Sequence, residues 1–226
     1  MGILNLTPDS FFDGGKYKDK ASILGQVEYM LNHGAAFIDM GAYSSRPGAE
    51  HVPEDEELKR MIPVIDLILN KFPETLISVD TFRSKVASES IEHGAAIIND
   101  IAAGNLDEAM FDTVAKHQVP YIMMHMKGTP QSMQKEAAYD NLINDLRYYF
   151  SEKIEQATSK RINDIIIDPG FGFAKITEQN YTLLNHLGMF QTFGLPILIG
   201  LSRKSMIYKV LESSPKEALN GTTALH

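Results

Sequence analysis

The chain has 226 residues, of which 44% are hydrophobic and 22% charged, enough for one large domain or two small ones around a sizeable core. Its net charge of −8 argues against nucleic-acid binding, and no apolar run reaches the roughly 18 residues of a membrane span. It has no cysteine, which excludes disulfides and thiolate chemistry and suits a reducing cytoplasm, the location that we expect.

Short apolar segments alternate with amphipathic ones along the chain, which predicts strands alternating with helices. Strands are predicted at residues 2–6, 35–41, 76–80, 95–100, 121–125, 164–168 and 196–200. Helices are predicted at residues 22–33, 55–71, 84–93, 108–116, 139–159 and 181–190 and from residue 206, with Pro63 interrupting the pattern of the second. Two long loops rich in Gly, Pro and Ser, residues 7–18 and 42–52, are predicted to be mobile lids.

Strict alternation of strands and helices predicts a parallel α/β architecture. At this length it favours a (β/α)8 (TIM) barrel over an open sheet, and no Gly-x-Gly-x-x-Gly follows the first strand, which counts against a dinucleotide-binding fold. A barrel needs eight strands and seven are visible. We therefore expect residues 1–226 to be a single barrel domain and a fragment, with the C-terminal βα unit beyond it.

Polar residues recur where the predicted strands end. In a parallel barrel these positions converge on the carboxyl-terminal mouth, where active sites lie. We interpret Asp39 and Asp100 as caps of the helices that follow them. His125 is equally compatible with a hydrogen-bonded core residue and with a ligand contact. The full set is Asn5, Asp39, Asp80, Asn99, Asp100, His125, Asp168 and Lys204.

The segment after the sixth strand is the most informative one. It reads Asp168-Pro-Gly-Phe-Gly-Phe-Ala-Lys175 and places a carboxylate, two phenylalanines and a lysine among glycines. Such a loop suits a flat, hydrogen-bonding heterocycle, because a carboxylate can pair with an amidine-like ring edge while aromatic and apolar side chains cover a face. Met124 and Phe173 offer such faces, and Lys204 can approach a ring carbonyl or nitrogen. Arg46 is the first candidate for binding an anion in this acidic protein, and Lys175 is the second.

Several motifs, in order along nearly the whole chain, resemble those of the dihydropteroate synthase family. They are Gly2-Ile-Leu-Asn-Leu-Thr-Pro-Asp-Ser-Phe11, Ser45-Arg-Pro-Gly-Ala49, Ser78-Val-Asp-Thr81, Ile98-Asn-Asp100, Met124-His-Met126, Asp168-Pro-Gly-Phe-Gly-Phe173 and Ser202-Arg-Lys-Ser205.

The resemblance implies a pterin-binding barrel that acts in folate biosynthesis and is inhibited by sulfonamides. Its reaction condenses 6-hydroxymethyl-7,8-dihydropterin diphosphate with p-aminobenzoate, giving 7,8-dihydropteroate and diphosphate. The implied enzyme is a transferase of an alkyl group that uses Mg²⁺ and forms a homodimer through its late helices.

The resemblance also implies the role of each site residue. Catalytic roles fall to Asp80, Asp168, Lys204 and Arg46. The pterin lies against Asp80, Asn99, Met124, Asp168 and Lys204, and Asn5 binds Mg²⁺ at the diphosphate end. Ser45 and Arg46 reach the diphosphate, and Pro47, Phe173 and Ser205 line the p-aminobenzoate pocket.

Two departures from the family pattern stand out. The second loop reads Gly41-Ala-Tyr-Ser-Ser-Arg-Pro47, with Tyr43 where the family commonly has Glu. The family's Arg-x-His on an eighth strand lies outside the chain, so we expect these 226 residues alone to lack activity. Two alternatives stay open: a pterin-binding methyltransferase barrel, which lacks the Thr-Pro-Asp-Ser and Ser-Arg-Lys-Ser motifs, and a non-catalytic pterin-binding paralogue.

Overall fold

The computed structural model of the protein describes residues 1–6, 20–43 and 51–225. Its strands are β1 (Gly2–Asn5), β2 (Phe37–Gly41), β3 (Leu76–Asp80), β4 (Ile97–Asp100), β5 (Tyr121–Met124) and β6 (Ile165–Asp168). Its α-helices are α1 (Lys20–Asn32), α2 (Glu54–Lys71), α3 (Ser84–Glu92), α4 (Met110–His117), α5 (Leu142–Ser159), α6 (Thr177–Asn185), α7 (Ser205–Tyr208) and α8 (Leu219–Leu225). Short 3₁₀ helices lie at Met133–Lys135 and Leu187–Phe193.

The six strands form one parallel sheet in the order in which they occur along the chain. Its register places the carboxyl ends of neighbouring strands side by side: Asn5 pairs with Gly41, Gly41 with Asp80, and Asp80 with Asn99. Met124 and Asp168 form the corresponding pair of β5 and β6. Sequential parallel order with helical connections is the arrangement of a (β/α)8 barrel, so the predicted α/β class is confirmed.

The predicted seventh strand is the main correction to the secondary structure. Residues 196–200 form only an isolated parallel bridge, between Ile197 and Ile167. The Ile167 N–H donates to the carbonyl of Pro196 at 3.0 Å, and the Leu198 N–H donates to the carbonyl of Ile167 at 2.9 Å. Pro196 itself has no N–H to donate, and the segment then leaves β6 and runs along the wall of a cavity.

Helix positions were predicted to within a few residues, with one exception. The predicted helix at residues 181–190 is helical with different bounds, because α6 begins earlier and ends at Asn185, and the chain continues as the 3₁₀ helix. The early start follows from Gln179, whose side-chain oxygen accepts a hydrogen bond from the Ile176 N–H at 2.9 Å. Pro63 lies inside α2, which continues past it to Lys71.

The main core lies between the sheet and the helices that cover it, with Ile38, Ile77, Ile98 and Phe150 among its buried members. A second, smaller cluster follows the carboxyl ends of the strands and contains Ile101, Ala102, Met124, Met126, Met133 and Ala174, with Phe82, Leu106 and Phe173 packed against it. This second cluster gives the strand ends an apolar support. Of the helices that the structure describes, none has both the length and the apolar character that a bilayer crossing requires.

Candidate active site

A cavity of about 630 Å³ opens at the carboxyl ends of the strands. Five residues from different strand ends, which were predicted to converge there, line it together: Asn5, Asp80, Asn99, Asp168 and Lys204. Met124 and Phe173 add apolar surface to the same wall. The position of these side chains at one mouth is as the sequence predicts, while the role of each stays a prediction.

Other predicted site residues lie elsewhere. Ser205 begins α7 and is not part of the cavity wall. The residues expected to bind diphosphate and p-aminobenzoate on the second loop lie outside the described residues: Ser45, Arg46 and Pro47. Residues 7–18 and most of 42–52, predicted to be mobile lids, also lie outside them.

Asp39 is a cavity residue, and its interpretation as a helix cap is wrong. It lies inside β2, is 7% exposed and forms part of the wall. Its carboxylate accepts a hydrogen bond from the Ser78 hydroxyl at 2.6 Å. The Asn99 amide nitrogen donates to both carboxylate oxygens at 3.3 Å. Because Asp39 holds this nitrogen, the Asn99 carbonyl oxygen is the atom that Asn99 can offer to a ligand.

Asp100 was also interpreted as a cap of the next helix, and this too is wrong in detail. Its carboxylate accepts hydrogen bonds from the backbone N–H groups of Ala102 at 2.8 Å and Gly104 at 2.7 Å. The Tyr121 hydroxyl donates a third bond at 2.6 Å. Asp100 therefore stabilises the turn directly after β4, well before α4 begins, and is not part of the cavity wall.

Carboxylates dominate the electrostatics of the cavity. Burial raises the pKa of Asp80 well above its ordinary value, and the nearby carboxylates of Asp39, Glu57, Asp100 and Asp168 raise it further. Burial also raises the pKa of Asp168, although Lys204 and a backbone hydrogen bond from Gly170 oppose the shift. Crowded, desolvated carboxylates favour a ligand that brings N–H donors or positive charge.

The loop after β6 is shaped by its glycines. The Gly170 N–H donates to Asp168 Oδ1 at 2.8 Å, which fixes the orientation of the carboxylate. Gly170 has a φ of +70°, and a Cβ there would lie 2.2 Å from the His125 carbonyl oxygen, so only glycine fits. Lys204 donates to the Phe171 carbonyl and lies 4.6 Å from the centre of the Phe173 ring.

His125 and Lys175 form a buried pair behind the cavity. Lys175 Nζ lies 3.0 Å from His125 Nδ1, and neither residue lines the cavity. His125 is thus a hydrogen-bonded core residue, one of the two possibilities that the sequence left open. Lys175, the second candidate for an anion site, is only 4% exposed and is bound to protein carbonyls instead.

Tyr43, the departure in the second loop, has a defined place in the wall. Its ring packs edge-on against Phe82, with centroids 5.0 Å apart, and the Arg83 guanidinium lies 5.3 Å from its centre. Its hydroxyl accepts a hydrogen bond from the Gln131 amide at 2.8 Å. Arg83 also pairs with Glu57 at 2.5 Å and donates to the Val52 carbonyl. Side chains of the β3–α3 connection therefore contact both flanks of the second loop.

Sequence reasoning missed a part of the wall. Asp39 had a usable signal, since an Asp flanked by Ile38 and Met40 inside a buried strand needs partners that a cap does not supply. Tyr43, Ile101 and the segment from Leu198 to Ser202 also line the cavity. Their positions depend on loop paths that no local pattern specifies.

Comparisons with known proteins agree with this geometry. The family described as pterin binding enzyme matches residues 1–226. A dihydropteroate synthase of Synechocystis sp. is 43% identical over 227 residues, covering 99% of this chain and 78% of the relative. Among solved structures, Yersinia pestis dihydropteroate synthase with a sulfonamide drug complex has a TM-score of 0.92 at 41% identity, covering 100% of this chain and 82% of that one. Xanthomonas albilineans dihydropteroate synthase with 4-aminobenzoic acid has a TM-score of 0.91 at 37% identity, covering 100% and 81%.

Proposed function

The chain belongs to the pterin-binding enzyme family, and we propose from this premise that the cavity at its strand ends binds the pterin ring of its substrate. The protein acts as a dihydropteroate synthase, a transferase that joins 6-hydroxymethyl-7,8-dihydropterin diphosphate to p-aminobenzoate and releases 7,8-dihydropteroate and diphosphate. Residues 1–226 are proposed to form one barrel domain.

One observation carries the assignment of the site. Asp80, Asn99 and Asp168 come from three separate strands, Lys204 directly precedes α7, and all four line one cavity with Met124 and Phe173. The pterin edge presents adjacent N–H and NH2 donors, and a carboxylate accepts both. The ring carbonyl and ring nitrogens suit Lys204. Asp168 is the best-placed acceptor, because the Gly170 N–H fixes its orientation.

The proposed chemistry uses charge rather than a protein nucleophile. The carbon–oxygen bond to diphosphate breaks and leaves positive charge on the exocyclic methylene, delocalised into the pterin. The p-aminobenzoate amine then forms the new carbon–nitrogen bond and loses a proton. Asp80 and Asp168 stabilise the charge where it develops. We propose that Ser45 and Arg46 hold the diphosphate, and that Pro47, Phe173 and Ser205 hold p-aminobenzoate.

Mg²⁺ is proposed as the partner of the diphosphate, with Asn5 as its protein ligand. Among the described residues, no group of three or more His, Cys, Asp or Glu could hold a metal ion. A dedicated cage is not needed, because Mg²⁺ is usually bound through one or two protein oxygens together with substrate phosphates and water. The carboxamide oxygen of Asn5 at the cavity wall fits such a role. When bound, the ion would neutralise charge on the leaving group.

Calorimetry with two ligands tests the site. Made in the full-length protein, Asp168→Asn should bind free 6-hydroxymethylpterin about 10- to 150-fold more weakly, because an amide NH2 then opposes a pterin donor. Arg46→Ala should bind free pterin like the wild type and weaken only the diphosphate form. If Asp168→Asn binds free pterin as tightly as the wild type, the assignment of the cavity is wrong.

Two further proposals concern assembly and location. We propose a homodimer through the late helices, where Val210, Leu211 and Leu219 are apolar and more than half exposed. Sedimentation of the wild type and of Leu211→Asp over a range of concentrations tests it, and a monomeric wild type at every concentration would contradict it. Residence in the cytoplasm is proposed from the absence of cysteine and is tested by cell fractionation.

A further inference from the structure

Lys175 is a buried lysine with three hydrogen-bond partners. Its side-chain nitrogen donates to the carbonyls of Gly170 at 3.0 Å and Phe173 at 3.1 Å, and it lies 3.0 Å from His125 Nδ1. An ammonium group has three N–H donors and no acceptor. When Lys175 is protonated, the three partners use its full donor capacity, and the imidazole then offers Nδ1 as the acceptor and carries its proton on Nε2.

Burying the charged side chain of Lys175 costs free energy, and its lowered pKa reflects this cost. The pKa of Lys175 is lowered to about 7, chiefly by burial, with the nearby Lys204 and Lys127 contributing to the shift and Asp168 opposing it. Burial and the neighbouring Lys175 lower the pKa of His125 well below its ordinary value, so the imidazole is neutral. A methionine would fill this space without that cost.

The two carbonyls belong to the loop that builds the cavity wall. Gly170 holds the Asp168 carboxylate through its N–H and contacts Lys175 through its carbonyl. Phe173 places its ring in the wall and contacts Lys175 through its carbonyl. Asn180 closes the loop from behind, since it accepts from the Gly172 N–H at 2.7 Å and donates to the Lys175 carbonyl at 3.1 Å.

We propose that Lys175, hydrogen-bonded to His125, is a positioning residue that sets the shape of the 168–173 loop and thereby the relative placement of Asp168 and Phe173. The contacts of Lys175 with His125, Gly170 and Phe173 are called the clamp below. One ammonium group then controls two subsites at once, the acceptor for the pterin edge and the ring that faces p-aminobenzoate. The inference rests on the proposed function for the identity of the two ligands, while the clamp itself is independent of it.

The first test compares two buried lysines. In the full-length protein, Lys175→Met should lower the affinity for free 6-hydroxymethylpterin and raise the KM for p-aminobenzoate, each by about 10-fold or more, as expected when two buried carbonyls lose a charged donor. Lys153→Met is the matched control, because Lys153 is 8% exposed, lies near Phe111 and Tyr149, and donates its hydrogen bond to Gln156 rather than to the loop. It should change stability and leave both constants within about 2-fold of the wild type.

A second variant keeps the test decisive if Lys175→Met does not fold. The natural chain has no cysteine, so Lys175→Cys can be alkylated at one position in denaturant and refolded. S-aminoethylation restores an amine at nearly the same length and should recover pterin affinity to within about 3-fold, whereas S-propylation restores only the shape and should not. Equal recovery with both groups would show that Lys175 acts by packing alone and would overturn the proposal.

The pH dependence supplies a readout that a merely structural role would not move. The charged and titratable groups facing Lys175 are His125 and Lys127 after β5, Asp168 at the end of β6, and Lys204 before α7. As pH rises from 7 to 9, pterin affinity should fall more steeply in the wild type than in the S-propylated protein, because Lys204 and the pterin titrate in both proteins and Lys175 titrates only in the wild type. A fall of the same size in both proteins would contradict the role of the ammonium group.

The failures of the two proposals are distinguishable. If the wild type binds no pterin, the proposed function fails whatever Lys175 does. If the wild type binds pterin, and Lys175→Met binds it equally well with an unchanged pH profile, the positioning role fails and the function stands. Imidazole ¹⁵N shifts of wild-type His125 check the clamp without any ligand, because they distinguish a protonated Nε2 with an acceptor Nδ1 from the reverse tautomer, which would overturn the geometry.

Discussion

Asp80 and Asp100 end the neighbouring strands β3 and β4, yet their surroundings differ completely. Asp100 is fully buried and accepts three hydrogen bonds, from Ala102, Gly104 and Tyr121. Asp80 lines the cavity together with Asp39, Asn99 and Asp168, and burial and the nearby carboxylates raise its pKa well above the ordinary value. The first carboxylate is satisfied by the fold, and the second faces the cavity.

Register explains the difference. Asp80 pairs with Asn99, not with Asp100, and successive side chains of a strand point to opposite sides. Asn99 therefore shares the side of Asp80 and joins it in the cavity wall, while Asp100 points away and meets Tyr121. A carboxylate at a strand end is a candidate ligand group only when the register turns it toward the mouth.

The comparison predicts opposite effects of the same substitution, and the largest is at Asp80. Asp80→Asn should weaken binding of 6-hydroxymethylpterin about 10- to 150-fold, because a charged acceptor becomes a group that also carries donors. Its free energy of unfolding at pH 7 should rise by about 1 kcal/mol, as is common when strain at a functional site is relieved. Calorimetry and urea unfolding measure the two quantities.

The sign of the stability change follows from the raised pKa of Asp80. A raised folded-state pKa means that the carboxyl stabilises the fold below its unfolded pKa, and that this contribution is lost as pH rises through the folded value. The gain from Asn should therefore shrink toward acid. A variant that is less stable than the wild type at pH 7 would show that Asp80 is a structural residue.

Asp100→Asn should show the reverse pattern. The amide can accept from fewer of the three donors and turns its own N–H toward another, so unfolding free energy should fall by about 1–2 kcal/mol. Pterin affinity, measured on the folded fraction, should stay within about 3-fold of the wild type. A large loss of affinity with unchanged stability would erase the distinction between the two strand ends.

The same contrast shows how far the sequence alone could reach. Five strand-end residues were predicted to share one mouth, because parallel alternation fixes where strand ends go and needs no knowledge of contacts. Asp39 was misread because its partners Ser78 and Asn99 lie 39 and 60 positions away. A local pattern cannot tell a helix cap from a carboxylate held by two other strands.

The clamp at Lys175 could not be predicted from the sequence for a related reason. The interleaved Phe, Gly and Lys residues predict a functional loop, but His125 lies 50 positions from Lys175, and the pairing of the two depends on the packing of β5 against β6. The seventh strand was predicted from its length and apolar character, which are those of a strand. In the structure, residues 196–200 pair with β6 only through the single bridge to Ile167.

Lys175 extends the comparison to a basic group. The fold supplies all of its hydrogen-bond partners but lowers its pKa. Its pKa is lowered to about 7 in the folded state, so between pH 7 and its unfolded pKa the unfolded chain binds more protons. Stability should therefore rise with pH in this window. Relative to Lys175→Met, the wild type should gain about 1 kcal/mol between about pH 7.5 and 8.5. Parallel unfolding curves at both pH values would contradict the lowered pKa.

The smallest expected effect concerns Tyr43, a cavity residue that is only 9% exposed and has ring contacts and a hydrogen bond. Tyr43→Phe keeps the ring against Phe82 and beneath Arg83 but removes the hydroxyl that accepts from Gln131 at 2.8 Å. Because Gln131 is exposed and water can replace the lost partner, the unfolding free energy should fall by only about 0.5–1 kcal/mol.

Gln131→Ala serves as the matched control for this bond, since it removes the donor and leaves the tyrosine in place. If the bond carries the effect, the two single variants and the double variant should lose similar stability, so that their effects are not additive. The bond joins the loop after β5 to Tyr43, which lines the cavity, so the KM for p-aminobenzoate in the full-length protein should rise slightly in each variant. Additive losses would mean that Tyr43 is held by its ring contacts alone, and that the bond to Gln131 plays no part in shaping the wall.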